Sequence, residues 1–103
     1  MSSKYEFYVK ALLEFRDELE EKKYLGLWHL PDELADLDEA IELAELTIKQ
    51  REVIDLLYVK YFDGVEVAEK LGVEPSTVTR HAQAAVRKIA NIYEQWEALE
   101  HVN

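Results

Sequence analysis

The run DGVEVAEKLGVEPSTVTRHAQAAVRKIA, residues 63–90, constrains the fold more than any other part of the sequence. It opens with a short helical stripe of apolar residues, Val67, Ala68 and Leu71. Gly72 follows, and glycine takes the left-handed conformation that ends a helix at low cost. Pro75 suits the first position of the next helix, where its missing N–H costs nothing. The pattern predicts two helices joined by a tight turn, with Val73 as the buried residue of that turn.

Two capping boxes mark where helices begin. Asp63 is followed three residues later by Glu66, and Thr47 is followed at the same spacing by Gln50. In each pair, both side chains can accept a hydrogen bond from a backbone N–H that has no partner within the helix. The second box predicts a helix whose inward residues are Val53, Ile54, Leu57 and Tyr61.

The helix that begins at Pro75 has one apolar and one polar face. Its inward residues are predicted to be Val78, Ala82, Ala85, Val86 and Ile89. Its outward residues are then Ser76, Thr77, Thr79, Arg80, Gln83, Ala84 and Arg87. Hydroxyls, an amide and an arginine can reach phosphates and base edges in the major groove of DNA. An ordinary solvated helix face carries the same residue types, so the pattern favours DNA contact only together with the turn before it.

The apolar stripe of this helix continues past the turn motif, through Ile92, Tyr93, Trp96 and Leu99. A helix from Pro75 to residue 99 is about 37 Å long at 1.5 Å per residue, which exceeds one small core. We expect its far end to pack on the amino-terminal helices. The alternative is a homodimer through the first or last helix, and the surroundings of Trp96 distinguish the two.

The amino-terminal half predicts two more amphipathic helices. Residues 4–25 carry an apolar stripe and are followed by Gly26, which ends that helix; the stripe comprises Tyr5, Tyr8, Val9, Leu12, Leu13, Phe15 and Leu19. After a loop containing Trp28 and His29, a second helix starts at Pro31 and repeats the spacing with Leu34, Leu37, Ile41 and Ala44. These helices either pack on the turn motif or dock a second protein or a second copy of the chain.

The fold class predicted is all-α, a helical bundle that contains a helix-turn-helix. We expect residues 1–45 to form an acidic helical hairpin and residues 46–103 to form the helix-turn-helix domain with its extended last helix. The net charge is −10, but residues 1–46 carry −8 of it and residues 47–103 carry −2. From Pro75 to Ile92 the chain has three basic residues and no acidic one. DNA binding is therefore expected to be weak and to need a partner.

Other classes of function receive little support. The chain has no cysteine, its glycines are far apart, and its three histidines, His29, His81 and His101, are scattered. No grouping typical of catalysis occurs, so we expect no enzyme activity, cofactor or metal. No signal peptide or bilayer-spanning stretch is visible, so the expected location is the cytoplasm.

Residues 46–90 resemble region 4 of the sigma-70 family of bacterial RNA polymerase sigma factors. The resemblance rests on the opening LTxxQREV, on YFxG after the first helix, and on the runs AEKLGV and STVxRH of the helix-turn-helix. DNA-binding domains of response regulators share this arrangement and are the alternative family. Nothing in the chain resembles the sigma regions that melt a promoter or bind the polymerase clamp.

The resemblance implies recognition of a promoter element in double-stranded DNA, together with contact to the RNA polymerase core. By position it places Thr77, Thr79, Arg80 and Gln83 at the groove, with Arg87, Lys88 and either Lys49 or Arg51 at phosphates. Glu74 departs from the pattern, because the family favours Ser or Thr there and a carboxylate repels phosphate. The implied function is a transcription regulator of the small kind found in bacteria and their phages. The alternatives are a non-catalytic module that binds polymerase, a sigma factor or a phage component, and a recognition subunit of phage DNA packaging.

Overall fold

The computed structural model describes residues 3–24 and 30–100, and every regular element within those ranges is helical. The elements are α1 Ser3–Glu14, α2 Arg16–Tyr24, α3 Leu30–Leu43, α4 Ile48–Ile54, a π-helical turn Asp55–Val59, α5 Gly64–Leu71 and α6 Pro75–Glu100. The predicted all-α bundle with a helix-turn-helix and a long last helix is confirmed. The predicted helix end at Gly26 and the loop residues Trp28 and His29 lie outside the described residues.

α6 is the helix around which the others assemble. Its 26 residues make it about 39 Å long, and α1, α3, α4 and α5 all pack against it. Its predicted inward residues are buried, except Ala82, which is half-buried. Neither α6 nor any shorter helix within the described ranges combines the length and apolar character that crossing a bilayer requires.

The larger of two hydrophobic clusters joins α1, α3, α4 and α6. It contains Val9, Leu12, Leu13, Leu37, Ala40, Ile41, Ile54, Ala85, Val86, Ile89, Ala90, Ile92 and Tyr93. At its edge the Tyr93 ring stacks on Tyr5 at a centroid distance of 5.8 Å and meets Tyr8 and Trp96 edge-on at 5.5 and 5.1 Å. The far end of α6 therefore packs on the amino-terminal helices, as the sequence predicts. This cluster contains residues from both the amino-terminal segment, 1–45, and the segment 46–103. The division of the chain into two domains at residue 45 stays a prediction.

The smaller cluster holds the helix-turn-helix together. Val53, Val67, Ala68 and Val78 are its buried members, and half-buried Leu56, Leu57, Phe62, Leu71, Val73 and Ala82 surround them. The cluster joins α4, α5 and the first turns of α6. Since it contains the apolar stripe of α5 and the start of α6, it fixes the orientation of α6 relative to α5.

The predicted single helix over residues 4–25 is wrong, because the chain forms α1 and α2 with a break at Phe15. The backbone bonds Phe15 N to Ala11 O and Leu19 N to Phe15 O, both 3.0 Å, persist across the break. α1 packs mainly on α6, whereas α2 packs on α3. α1 and α2 are therefore oriented by different helices. Phe15, at the break between them, is 55 % exposed.

The predicted inward position of Tyr61 is also wrong, since its side chain is 54 % exposed. α4 ends at Ile54, and the π-helical turn inserts extra residues, with Lys60 N donating to Asp55 O at 3.0 Å. The wider turn breaks the helical register before residue 61 is reached. Tyr61 then takes a left-handed φ of 60°, which ends the helix and directs the chain toward α5.

Candidate nucleic-acid interface

Both predicted capping boxes are present and fix where α4 and α5 begin. Thr47 Oγ1 accepts from Gln50 N at 3.1 Å, and Gln50 Oε1 accepts from Thr47 N at 3.0 Å. Asp63 Oδ1 accepts from Glu66 N at 2.9 Å, and Glu66 Oε1 accepts from Asp63 N at 3.1 Å. Each box thus satisfies two backbone N–H groups at the start of its helix, and α5 begins after a four-residue connection, residues 60–63, from the π-helical turn.

The turn between α5 and α6 has the predicted form. Gly72 takes a left-handed φ of 68°, and half-buried Val73 packs against the smaller cluster. α6 starts at Pro75, as predicted, and the Glu74 carbonyl accepts from Thr77 N at 2.9 Å. This turn leaves one face of α6 without a neighbouring helix across its first turns.

That face carries most of the residues predicted to contact DNA. Ser76, Thr79, Arg80, Gln83 and Arg87 are exposed, whereas Thr77 and Lys88 are half-buried. From residue 76 to residue 87 the face extends along about 17 Å of helix. An α-helix fits the major groove of B-DNA, which is about 12 Å wide, so this face has the size for direct contact with base edges.

Arg80 and Thr79 already make hydrogen bonds within the helix and keep further capacity. Arg80 Nη2 donates to Thr77 Oγ1 at 3.2 Å, which uses one of the five guanidinium N–H groups. Thr79 Oγ1 donates to the Pro75 carbonyl at 3.3 Å, which leaves its oxygen lone pairs and its methyl group. A guanidinium can pair with guanine through two hydrogen bonds, and a threonine methyl can contact thymine.

Lys88 has a hydrogen-bond partner inside the protein. Its Nζ donates to Gln50 Oε1 at 2.9 Å, the same oxygen that accepts from Thr47 N. Gln50 is 8 % exposed and is the buried polar residue of the described core. The bond therefore ties α6 to the start of α4. A phosphate contact by Lys88 stays a prediction, and it would compete with this bond.

The two α4 residues predicted to reach phosphates have acidic partners. Lys49 Nζ lies 3.9 Å from Glu52 Oε1, and Arg51 Nη1 lies 3.6 Å from Glu42 Oε1. All four side chains are largely exposed, and such pairs contribute about 0–1 kcal/mol. Pairs this weak can exchange their carboxylate for a phosphate.

The acidic groups are distributed unevenly around the α6 face. The carboxylate of exposed Glu74 stands at the start of the helix and makes no hydrogen bond or ion pair within residues 3–24 and 30–100. α3 contains six acidic residues and no basic one, but it packs on the buried side of α6. Six of the 22 acidic residues of the chain therefore lie on α3, across the core from the exposed face of α6.

A groove of about 500 Å³ runs along one flank of the α6 face, and sequence reasoning missed it. Thr79 and Gln83 line it from α6, and Glu6, Phe7 and Lys10 line it from α1. The residues that line it from α1 are about 70 positions away from those that line it from α6, so no local sequence pattern predicts that they lie close together. The first helix of the chain is thereby placed beside the residues predicted to read bases.

The described part of the chain contains no group of three His, Cys, Asp or Glu side chains arranged to hold a metal ion.

Comparison with known proteins gave one informative result. The family model described as Sigma-70, region 4 matches residues 38–89, half of the chain. No curated protein and no solved structure matches the chain. The matched segment runs from α3 to α6 and includes the whole helix-turn-helix with Arg80, Gln83 and Arg87. Region 4 is a non-catalytic DNA-binding domain, and by this match the chain belongs to the sigma-70 region 4 family.

Proposed function

We propose that the chain is a sequence-specific transcription regulator that binds promoter DNA through α6 and acts together with RNA polymerase in the cytoplasm. The observation that carries the proposal is the exposed face of Ser76, Thr79, Arg80, Gln83 and Arg87 at the start of a helix held by a helix-turn-helix. No acidic residue lies between Pro75 and Ile92. The face combines base-reading side chains with positive charge, which is the composition that DNA recognition requires.

The proposal divides the face into two roles. Arg80 and Gln83 read bases, because a guanidinium pairs with guanine and an amide with adenine, each through two hydrogen bonds. Thr77 and Thr79 add hydroxyl and methyl contacts, and Ser76 lies at the end of the helix that enters the groove. Arg87 lies three turns further along the same face and contacts a phosphate.

Base reading is tested by selecting bound duplexes from a random-sequence pool at low salt. We expect an enriched site for the wild-type chain and loss of that enrichment for Arg80→Ala and Gln83→Ala. Gln95→Ala is the matched control, since Gln95 is an exposed amide on the same helix, about 18 Å further along. A pool without any enriched site would contradict base reading by the isolated protein.

Phosphate contact is tested by the salt dependence of binding. Arg87→Ala should weaken binding to all sequences alike and reduce the slope of log K against log salt by about 0.9. Arg80→Ala should instead lower the affinity for the selected site more than for random DNA. Equal effects of Arg87→Ala and Arg80→Ala on selectivity would contradict this division of roles.

We assign the polymerase contact to the surface at the start of α4, where Ile48 and half-buried Leu46 line a shallow groove of about 590 Å³. Ile48 is 85 % exposed, and Leu43, at the end of α3, is 48 % exposed. Large exposed apolar side chains are typical of protein-binding surfaces. Ile48→Ser, which adds no charge beside Lys49 and Arg51, should abolish co-purification with core RNA polymerase and leave DNA binding intact. Leu99→Ser, at a 67 % exposed apolar side chain on the far end of α6, is the control and should retain the polymerase.

A second candidate function is a protein-binding module that keeps the fold without using DNA. The observation that favours it is α3, with six acidic residues and no basic one on a helix whose Asp36, Asp38, Glu39 and Glu42 are exposed. Retention of a partner by Arg80→Ala, in a chain that binds no DNA, would support this module.

Light scattering, which measures the oligomeric state, separates the remaining possibilities. A monomer on an asymmetric site fits sigma-like action, a dimer on a palindrome fits a homodimeric regulator, and a ring fits phage DNA packaging.

A further inference from the structure

We infer that α1 extends the DNA interface, with Lys10 contacting the sugar–phosphate backbone beside the bases that Gln83 reads. The inference rests on the proposed DNA binding and adds a segment outside the family match, which begins at residue 38. It starts from the groove of about 500 Å³ that α1 and α6 line together. This groove is continuous with the α6 face, because Thr79 and Gln83 belong to both.

The groove has the mixed chemistry of a surface that fits a DNA backbone. A DNA strand presents apolar deoxyribose edges and one negative phosphate per nucleotide. Phe7, 79 % exposed, offers an apolar ring at the groove, and Lys10, one turn further along α1, offers an exposed ammonium group. Lys10 forms no ion pair with any carboxylate in the described ranges, so its charge is available to a phosphate.

The charge of α1 also distinguishes it from α3. α1 has two lysines and two glutamates, a net charge of zero, whereas α3 has a net charge of −6. The fold places the neutral helix beside the DNA-contact face and the acidic helix behind the core. Glu6 is the exception, since its carboxylate borders the same groove and opposes a phosphate there.

The two lysines of α1 provide a matched pair for the test. Lys4 pairs with Glu97 at 3.1 Å, near the far end of α6, whereas Lys10 lies beside Gln83. Lys4 and Lys10 are about 9 Å apart along α1, and the α6 residues beside them, Glu97 and Gln83, are about 21 Å apart along that helix. Exposed charges are screened beyond about 8–10 Å at physiological salt, and Glu97 also compensates the charge of Lys4. Removing either lysine changes the net charge equally, so a general effect of net charge would weaken binding in both variants.

The experiment measures binding of the full chain to the duplex that it selects from a random pool, over a series of salt concentrations. Lys10→Ala should weaken binding about five- to tenfold at 0.1 M salt and reduce the salt slope by about 0.9, as expected for one lost phosphate contact. Lys10→Arg should keep both values near wild type, and Lys4→Ala should leave both unchanged. Glu6→Gln should tighten binding about twofold. Thermal melting of each variant verifies that the fold is intact.

The outcomes separate this inference from the proposed function. If Arg80→Ala abolishes selection while Lys10→Ala binds like wild type, α1 lies outside the interface and the inference is wrong, although DNA binding stands. If Lys4→Ala and Lys10→Ala weaken binding equally, a general charge effect replaces the contact and the inference is again wrong. A wild-type chain that binds no duplex, alone or with RNA polymerase, overturns the proposed function and the inference together.

Discussion

Replacing Lys88 by alanine tests whether this lysine links helices or binds DNA. Its ammonium donates to Gln50 at 2.9 Å in a half-buried position between α6 and α4. Hydrogen bonds that involve a charged group contribute about 1.5–3 kcal/mol when buried, and partial exposure lowers this to about 1 kcal/mol. For a domain of this size, a loss of about 1 kcal/mol corresponds to a decrease in Tm of about 4–8 °C.

The assay is urea and thermal unfolding followed by circular dichroism at a helical wavelength. Gln50→Ala should cost more than Lys88→Ala, about 1–2 kcal/mol, because it also removes the capping-box acceptor of Thr47 N and leaves the Lys88 ammonium half-buried without its partner. The double variant should be more stable than the sum of the two losses implies, with a coupling of about 0.5–1 kcal/mol.

The salt dependence of DNA binding provides the opposing measurement. If Lys88 is a link, Lys88→Ala leaves the slope of log K against log salt unchanged, whereas a lost phosphate contact lowers it by about 0.9. A variant with wild-type unfolding and a reduced slope would refute the structural role of Lys88. It would establish the phosphate contact that the family resemblance implies.

Three further predictions concern charge, core and pH. Glu74→Ser removes a carboxylate at the entrance of α6 and should tighten DNA binding about two- to fivefold in a mobility-shift titration, while Glu100→Ser at the other end of the helix should not. Ile89→Ala, at a fully buried position, should lower the free energy of unfolding by about 2–5 kcal/mol in urea, and a loss below 1 kcal/mol would contradict the assigned core. A hydrogen bond to the Asp17 carboxylate raises the pKa of Tyr61 to about 12, so the stabilisation from this contact should be complete below pH 10 and be lost as the pH rises through about 12. NMR of Cζ-labelled tyrosine should detect that titration, and Asp17→Asn should shift its midpoint toward 10.

The helix-turn-helix could be predicted from the sequence because its signals are local. The Asp63 and Glu66 side chains act three residues apart, Gly72 acts through its own φ, and Pro75 acts through its missing N–H. The buried face of α6 could be predicted because its apolar residues recur every three or four positions, and a helix places residues at that spacing on one face. Each of these features depends on residues that lie within one or two helical turns of each other in the sequence. The tertiary contacts favour the same local structure.

The features that sequence reasoning missed depend on contacts between distant residues. The break at Phe15 arises because α1 and α2 pack on different helices, and neither glycine nor proline marks it. The π-helical turn that moves Tyr61 to the surface has no marker either. The Lys88–Gln50 bond spans 38 positions, and the groove between α1 and α6 joins even more distant ones. A pattern of short period contains no information about such pairs.

The folded arrangement of charge explains how a chain with a net charge of −10 can present a DNA-binding face. Asp36 and Glu39 are exposed on α3, behind a core that α6 shares, so about two helix diameters, or roughly 20 Å, separate them from the outer side of α6. Glu42 differs from them, because it pairs with Arg51 on α4. At about 0.15 M salt the screening length is about 8 Å, and these acids contribute little at the DNA-contact face. At about 0.01 M the screening length rises to about 30 Å and they repel DNA. We therefore expect the plot of log K against log salt to flatten at low salt, and replacing Asp36 and Glu39 by their amides should restore its linearity. A plot that stays linear for the wild-type chain would show that separation of charge is not what permits binding.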